Sequence, residues 1–384
     1  MKITIFRPGI ISNGSAFEAQ AMIYKYLQKN FNYEFVIIKD ENDDYFDEEL
    51  KTVSIPKSSY QNILRIPYAF NLISYQKHVL ENIKGSDLII TCDPTIYHQG
   101  RLVYNISKKL KIPYIFDSSV TNFNYKNKYT RKIISNFMTK YVEASKTIWI
   151  TVPKVAERFN NERIMNKKIS ENFFILGHPV DIDMFKPNLK SSDESKQEII
   201  VLCISRLIYE KGIQYIIYAI EPLIRENPKI KLKIMGQGNA LPFLKNIVKN
   251  LNLIENIEFL NNVKHSELPI VYKNSDIFIS HPLNDSNWEE YFGVANIEAM
   301  SCGLPTISSN SGGVSFVLRE VETSLIIQER DVVKMTQVLR KLIEDEEYRK
   351  DLGAKSRDYV VNNYSLESIS EKYHRRLEDI MLGE

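Results

Sequence analysis

Two rounds of strand–helix alternation, separated by a polar break, constrain this chain more than any single motif in it. Short apolar runs stand at Ile3–Phe6, Phe35–Ile38, Leu88–Thr91, Tyr114–Phe116, Ile148–Thr151 and Phe173–Leu176, with helical patterns between most of them, the first from Ala16 to Lys29. The acidic stretch from Asp40 to Glu49 reads as a solvated loop. Pro179, Pro187 and the polar run 190–197 interrupt the pattern, which restarts with Ile199–Ile204, Lys231–Met235, Ile257–Phe259, Ile277–Ser280 and Pro305–Ser308. Runs this short and this continuously apolar suit strands buried on both faces, and helices between them make a parallel sheet covered on both sides. At 384 residues the chain is too long for one ordinary core. Two Rossmann-like α/β domains joined near 180–197 are the expected architecture. The tail from Ser365 to Leu382 is amphipathic with a helical period.

Composition narrows the class of function. No stretch approaches the ~18 uncharged apolar residues of a membrane span. Met1-Lys2-Ile3-Thr4-Ile5-Phe6 reads as a first strand and not as a secretory leader, so a cytoplasmic protein is expected. Cys92, Cys203 and Cys302 are widely spaced in or beside apolar runs, which argues for buried thiols in a reducing compartment. The net charge of +2 conceals an asymmetry. Residues 1–180 hold 25 Lys and Arg against 17 Asp and Glu, a balance of +8, and the remainder holds 25 against 31, a balance of −6. Within the first half, residues 124–170 alone carry 11 basic and 3 acidic side chains.

Three segments of the second half can carry chemistry. Glu290-Tyr291-Phe292-Gly293-Val294-Ala295-Asn296-Ile297-Glu298 places two carboxylates with seven residues between them, around a Phe-Gly turn that opens a helix-like run. A glycine at a helix start lets a ligand approach bare N–H groups, which suit a phosphate. Cys203-Ile204-Ser205-Arg206-Leu207-Ile208-Tyr209-Glu210-Lys211-Gly212 leaves a strand and enters a helix, so Arg206 and Lys211 fall at a strand's carboxyl end, where open α/β sheets bind ligands. Met235-Gly236-Gln237-Gly238-Asn239 ends the next strand. Gly-x-Gly by itself is a weak signal, since any strand-to-helix turn can use it.

Taken in order, these segments resemble the retaining glycosyltransferases of family 4, whose signature is E-x7-E and whose fold is GT-B: two Rossmann-like domains facing a central cleft. The resemblance is strong over 199–320 and looser elsewhere. It implies an N-terminal acceptor-side domain at 1–180, a nucleotide-sugar-binding domain at 181–364 and a helix at 365–384 crossing back to the first domain. It implies transfer of a hexose-type sugar from a nucleotide-diphosphate donor, with retention, to a glycan or lipid-linked glycan. Arg206 and Lys211, with the backbone at Gly293, Val294 and Ala295, would stabilise the departing diphosphate. Glu298 would hold the ribose, Glu290 the sugar hydroxyls, and Phe292, Gly236 and Gly238 would border the donor. No cofactor is implied beyond the nucleotide sugar as co-substrate. No metal is expected, because no Asp-x-Asp or histidine ligand set is present and the cations answer the diphosphate charge.

The first half departs from that family. Gly9-Ile10-Ile11-Ser12-Asn13-Gly14-Ser15 stands where the glycine-rich loop between donor and acceptor would lie, and offers only Gly14 and Glu18 in a similar frame. Asp117-Ser118-Ser119 replaces a histidine that commonly follows the strand at Tyr114–Phe116. His98 and His178 therefore read as structural. Gly312-Gly313 resembles the glycine pair facing the donor, but Phe316 stands near the place of an acidic residue. Trp288, in a longer loop than the family's, suits a lid or sugar platform as well as it suits simple packing. The basic stretch 124–170 interleaves cations with Tyr125, Tyr129, Phe137, Tyr141 and Trp149, which fits a solvated face or an anionic membrane surface. Nucleic acid is not expected, since no recognition motif accompanies the charge. Two other activities share the donor site: a sugar-nucleotide epimerase and a non-catalytic sugar-nucleotide-binding subunit.

Overall fold

The computed structural model describes residues 1–9, 11, 17–55, 77–94, 96–118, 138–161, 173–187, 198–285, 288–318 and 325–383. The chain divides into two compact units, Met1–Pro179 with Ile369–Glu384, and Val180–Ser368. Gly14 and much of 124–170 lie outside the described residues.

The first unit is built on seven parallel strands: β1 Lys2–Phe6, β2 Glu34–Asp40, β3 Lys51–Ile55, β4 Leu88–Thr91, β5 Tyr114–Ser118, β6 Ile148–Ile150 and β7 Phe173–Ile175. Their order is β3-β2-β1-β4-β5-β6-β7. The apolar runs that mark β1, β2, β4, β5 and β6 are buried along nearly their whole length, as a sheet covered on both faces requires. Strand β3 is different. Among the described residues it lies at the sheet edge, pairs only with β2 and buries Ile55 alone, so an apolar-run reading passes it by.

Helix Phe17–Asn30 covers this sheet with Phe17, Ala21, Tyr24 and Leu27, one stripe at helical spacing. Helix Leu366–Leu382 buries Ile369, Tyr373, Leu377 and Ile380 on a similar stripe. The Tyr373 ring lies 4.0 Å from that of Trp149, and the Tyr33 hydroxyl is 2.8 Å from His374 Nδ1. Tyr141 and Trp149 are buried core residues. Neither aromatic is therefore available to a bilayer, whatever the neighbouring cations do.

The acidic stretch is a loop with most of residues 40–49 exposed, as its composition suggests, and it is tied down at two carboxylates. Asp43 Oδ2 accepts from the amides of Gly9 and Asp40, both at 2.7 Å, and Asp47 pairs with Lys25 at 3.0 Å. Tyr45 and Leu50 are buried between these carboxylates. The acids face backbone donors and a lysine, so the segment is pinned by charge-assisted bonds.

The second unit is a six-stranded parallel sheet of β8 Ile199–Ile204, β9 Ile230–Met235, β10 Ile257–Leu260, β11 Ile277–Ile279, β12 Thr306–Ser309 and β13 Leu325–Ile327. Its order is β10-β9-β8-β11-β12-β13. Edge strand β13 was again invisible to an apolar-run reading, since it buries only Ile327. Helix Ile213–Glu226 buries seven side chains from Ile213 to Ile224, and helix Val332–Glu344 adds Met335, Leu339, Leu342 and Ile343. In both sheets the strand order reverses beside the first strand, between β1 and β4 and between β8 and β11. Open α/β sheets bind ligands outside the carboxyl ends of their strands at such a reversal.

Candidate functional site

Strand β8 delivers its loop to the reversal point of the second sheet. Leu207 is buried and anchors that loop, its amide donating to Gln237 O at 2.8 Å and its carbonyl accepting from the Ala240 amide at 2.8 Å. Gly236 and Gly238 lie directly against this backbone. A Cβ on Gly236 would come within 1.8 Å of Ser205 O, and one on Gly238 within 2.2 Å of Leu207 O. Both glycines are thus required by the contact between two loops, before any ligand is considered. Arg206, between the anchors, is exposed and makes no ion pair with a described residue.

A single 3-10 turn, Tyr209–Lys211, carries the loop into helix Ile213–Glu226 through Gly212 at φ 63°. A Cβ there would meet His281 O at 2.1 Å, so only glycine makes this turn. The turn presents Lys211 to Glu290: Lys211 Nζ contacts Glu290 Oε2, and the same ammonium lies 5.2 Å from the centroid of the Trp288 ring. Glu290 is fixed at its backbone. Its carbonyl accepts from the Gly313 amide at 2.8 Å, its amide donates to Ser311 Oγ at 3.4 Å, and a Cβ on Gly312 would strike its carbonyl at 1.8 Å.

Three residues later Gly293, at φ 74°, caps helix Val294–Ser301 with no side-chain hydrogen bond. The first N–H groups of such a helix have no intrahelical partner and carry its partial positive charge. Val294 is exposed and Ala295 half-buried, so that end of the helix is open. Asn296 is buried, and its side chain accepts from Ser280 Oγ at 2.9 Å, which fastens the helix to the sheet.

Phe292 directly precedes the glycine at this opening. Its ring is buried and meets Tyr364 edge-on at 5.5 Å. Glu298 is also largely buried, and its carboxylate is held from a segment that the spacing of the acids does not reveal. His265 Nε2 lies 2.9 Å from Oε1, and the Tyr272 hydroxyl donates to Oε2 at 2.9 Å. Burial and the adjacent carboxylate both push the Tyr272 phenol well above its usual range, so it stays a donor. His265 is mostly exposed and rests edge-on against Phe185 at 5.3 Å. His281 is buried, with its Nε2 accepting from the Arg330 amide at 2.9 Å. Burial and, less, Arg330 lower it to about 4, so it stays neutral and structural.

The fold therefore brings Lys211 to Glu290, stacks Gly236 and Gly238 on the Arg206 loop, and joins Glu298 to His265 and Tyr272. Arg206 meets none of the acids. Among the described residues no three acidic, histidine or cysteine side chains converge as a metal would require.

Comparison with known proteins follows the same division of the chain. Residues 185–359 match the family model "Glycosyl transferases group 1". A curated relative, the GDP-mannose-dependent alpha-(1-6)-phosphatidylinositol monomannoside mannosyltransferase of Mycolicibacterium smegmatis, is 26% identical over 194 residues, covering 48% of this chain and 50% of the relative. The chain thus spans about half the length of the curated relatives it matches first. Likeness in structure extends further. A glycosyltransferase from Rickettsia africae superposes with a TM-score of 0.78 at 17% identity, over 99% of this chain and 98% of that one. HepE of Anabaena, in complex with UDP, superposes with a TM-score of 0.76 at 14% identity, over 98% of this chain and 100% of that one. Residues 185–359 thus resemble a glycosyl transferases group 1 domain, in a chain whose two parallel-sheet units have the GT-B fold.

Proposed function

We propose that this protein is a retaining glycosyltransferase of family 4 type that moves a hexose-type sugar from a nucleotide diphosphate to a glycan or lipid-linked glycan. One observation carries the reading: the Lys211–Glu290 contact ties a cationic strand-end loop to the segment that opens an uncapped helix N-terminus. Cations, open N–H groups and carboxylates at one sheet reversal suit a ligand with a diphosphate at its centre and hydroxyls at both ends. The relative from Mycolicibacterium smegmatis, by its name, uses GDP-mannose and a phosphatidylinositol glycan, which supports a nucleotide-sugar donor and a lipid-linked acceptor here.

In this reading the donor binds the second unit and the acceptor mainly the first. Arg206, Lys211 and the amides of Gly293, Val294 and Ala295 answer the charge that develops on the diphosphate as it leaves. Glu298, steadied by His265 and Tyr272, accepts from ribose hydroxyls, and Glu290 accepts from sugar hydroxyls. Gly236 and Gly238 let the backbone approach the nucleotide. Gly14 would lie between donor and acceptor. The acceptor hydroxyl attacks the anomeric carbon on the face the diphosphate leaves. The carbon–oxygen bond to phosphate breaks, and the leaving phosphate oxygen takes the acceptor's proton. No metal is needed to neutralise the leaving group. The enzyme works at the cytoplasmic face, with cations of 124–170 meeting anionic lipid.

A thermal-shift screen against nucleoside diphosphates tests the donor site first, because a ligand that binds only the folded state raises its melting temperature. Turnover of nucleotide sugars with and without acceptor then separates transfer from epimerisation and from binding alone. Absence of any stabilisation by UDP, GDP or ADP would remove the reading.

A further inference from the structure

Arg206 and Lys211, assigned above to one diphosphate, are in different states. Arg206 is exposed and makes no ion pair with a described residue, whereas Lys211 contacts Glu290 and lies over Trp288. We propose that Glu290 occupies Lys211 in the free protein in place of the donor's diphosphate, so that donor binding exchanges one anion for another on the same ammonium while Trp288 positions that ammonium. The proposal rests on the donor site described under Proposed function and adds a sequence of events to it.

The geometry limits what can move. The Glu290 carbonyl is held by the Gly313 amide and crowded by Gly312, so its main chain has little room to retreat. Any exchange therefore falls to its side chain, which is 19% exposed. Trp288 is held two residues upstream by a reciprocal turn, its amide donating to Asp285 Oδ1 at 2.7 Å and its carbonyl accepting from the Asp285 amide at 2.8 Å. A cation over a ring is attracted from one side only, so Lys211 keeps Trp288 when Glu290 leaves. The ammonium has three donors and can donate to phosphate oxygens in the directions the carboxylate vacates. Released from Lys211, Glu290 is then available to sugar hydroxyls.

Two consequences follow. A bare nucleoside diphosphate displaces Glu290 without offering it a sugar, so it binds against a competitor inside the site. After transfer the same carboxylate competes with the spent nucleotide for Lys211 and favours its release.

Calorimetry with UDP, GDP and ADP on wild type, Glu290→Gln, Lys211→Gln and the double variant tests the exchange. Loss of the carboxylate's charge at Glu290→Gln should tighten the nucleotide that wild type binds by about fivefold, the worth of a partly exposed ion pair. In the Lys211→Gln background the same change should leave affinity where it was. Equal tightening in both backgrounds would mean simple repulsion between Glu290 and phosphate, and would overturn the exchange. Unchanged or weaker binding in Glu290→Gln would overturn it too. If wild type binds none of the three, the donor site itself falls and the exchange with it. For Trp288, Trp288→Leu should weaken the same nucleotide about threefold and Trp288→Phe should restore it, as ring–cation attraction requires. Equal affinities in the two variants would remove Trp288 from the positioning of Lys211.

Discussion

Each unit places an ion pair near the carboxyl ends of its sheet, and the two pairs are built to opposite ends. In the first, Arg7 follows β1 and meets Asp117 of β5 at 2.8 Å, with side chains 8% and 7% exposed. Asp117 Oδ2 also accepts from Gln20 at 2.7 Å. In the second, Lys211 and Glu290 are 16% and 19% exposed and share their space with an aromatic ring. The first pair is almost closed off by its surroundings. The second is within reach of water and therefore of any anion that competes for the lysine. Similar chemistry thus serves rigidity in one unit and exchange in the other, and burial makes the difference.

The largest effect should come from breaking the sealed pair. Asp117→Ala leaves the Arg7 guanidinium buried and uncompensated, which should cost about 3–5 kcal/mol, whereas Glu290→Ala should cost about 1 kcal/mol or less. Urea unfolding of both variants measures this, and equal losses would erase the contrast. Next, Arg206→Ala and Lys211→Ala should each lower turnover by about 100-fold, as removal of a preorganised charge stabiliser does, with the melting temperature nearly unchanged. Steady-state rates close to wild type in either variant would take that residue out of the mechanism.

The second unit also holds one sealed titratable group beside its open pair. His281 is lowered to about 4 by burial and by Arg330, so the folded state refuses a proton that the unfolded chain takes below about 6.5. Stability from this residue is complete above that range and is lost as pH falls toward 4, at up to about 1.4 kcal/mol per pH unit. His281→Gln should flatten that slope in denaturant titrations between pH 6.5 and 4.5, and an unchanged slope would assign the dependence elsewhere. The smallest effect is expected at Tyr272→Phe, which removes one donor from Glu298. Stability should fall by about 1 kcal/mol and nucleoside diphosphate affinity by about threefold, read by calorimetry.

How much of this was legible in the sequence depended on how local each feature is. Buried central strands such as β4 announce themselves, because nearly every residue in them is apolar. Edge strands β3 and β13 do not, since each buries a single side chain. The acids at 290 and 298 were visible by their spacing, yet their partners were not. Lys211 lies 79 residues from Glu290 and His265 lies 33 from Glu298, and only the crossovers of the parallel sheet bring them together. The burial of the Phe292 ring was hidden for a related reason: within a turn no periodicity tells which side chain faces inward. Composition marks the acidic stretch as a solvated loop but not its anchors, because the backbone donors that bind Asp43 have no signature in sequence.

The immobility of the Glu290 main chain has a consequence in time. Enzymes that seal a substrate under a moving loop wait on motions of microseconds to milliseconds, whereas a partly exposed side chain changes rotamer in picoseconds to nanoseconds. With its carbonyl held by the Gly313 amide and crowded by Gly312, Glu290 can turn away from Lys211 as fast as its own torsions allow. Arrival of a nucleotide at this lysine should then be limited by diffusion and not by the protein, leaving later steps to set the pace of each cycle.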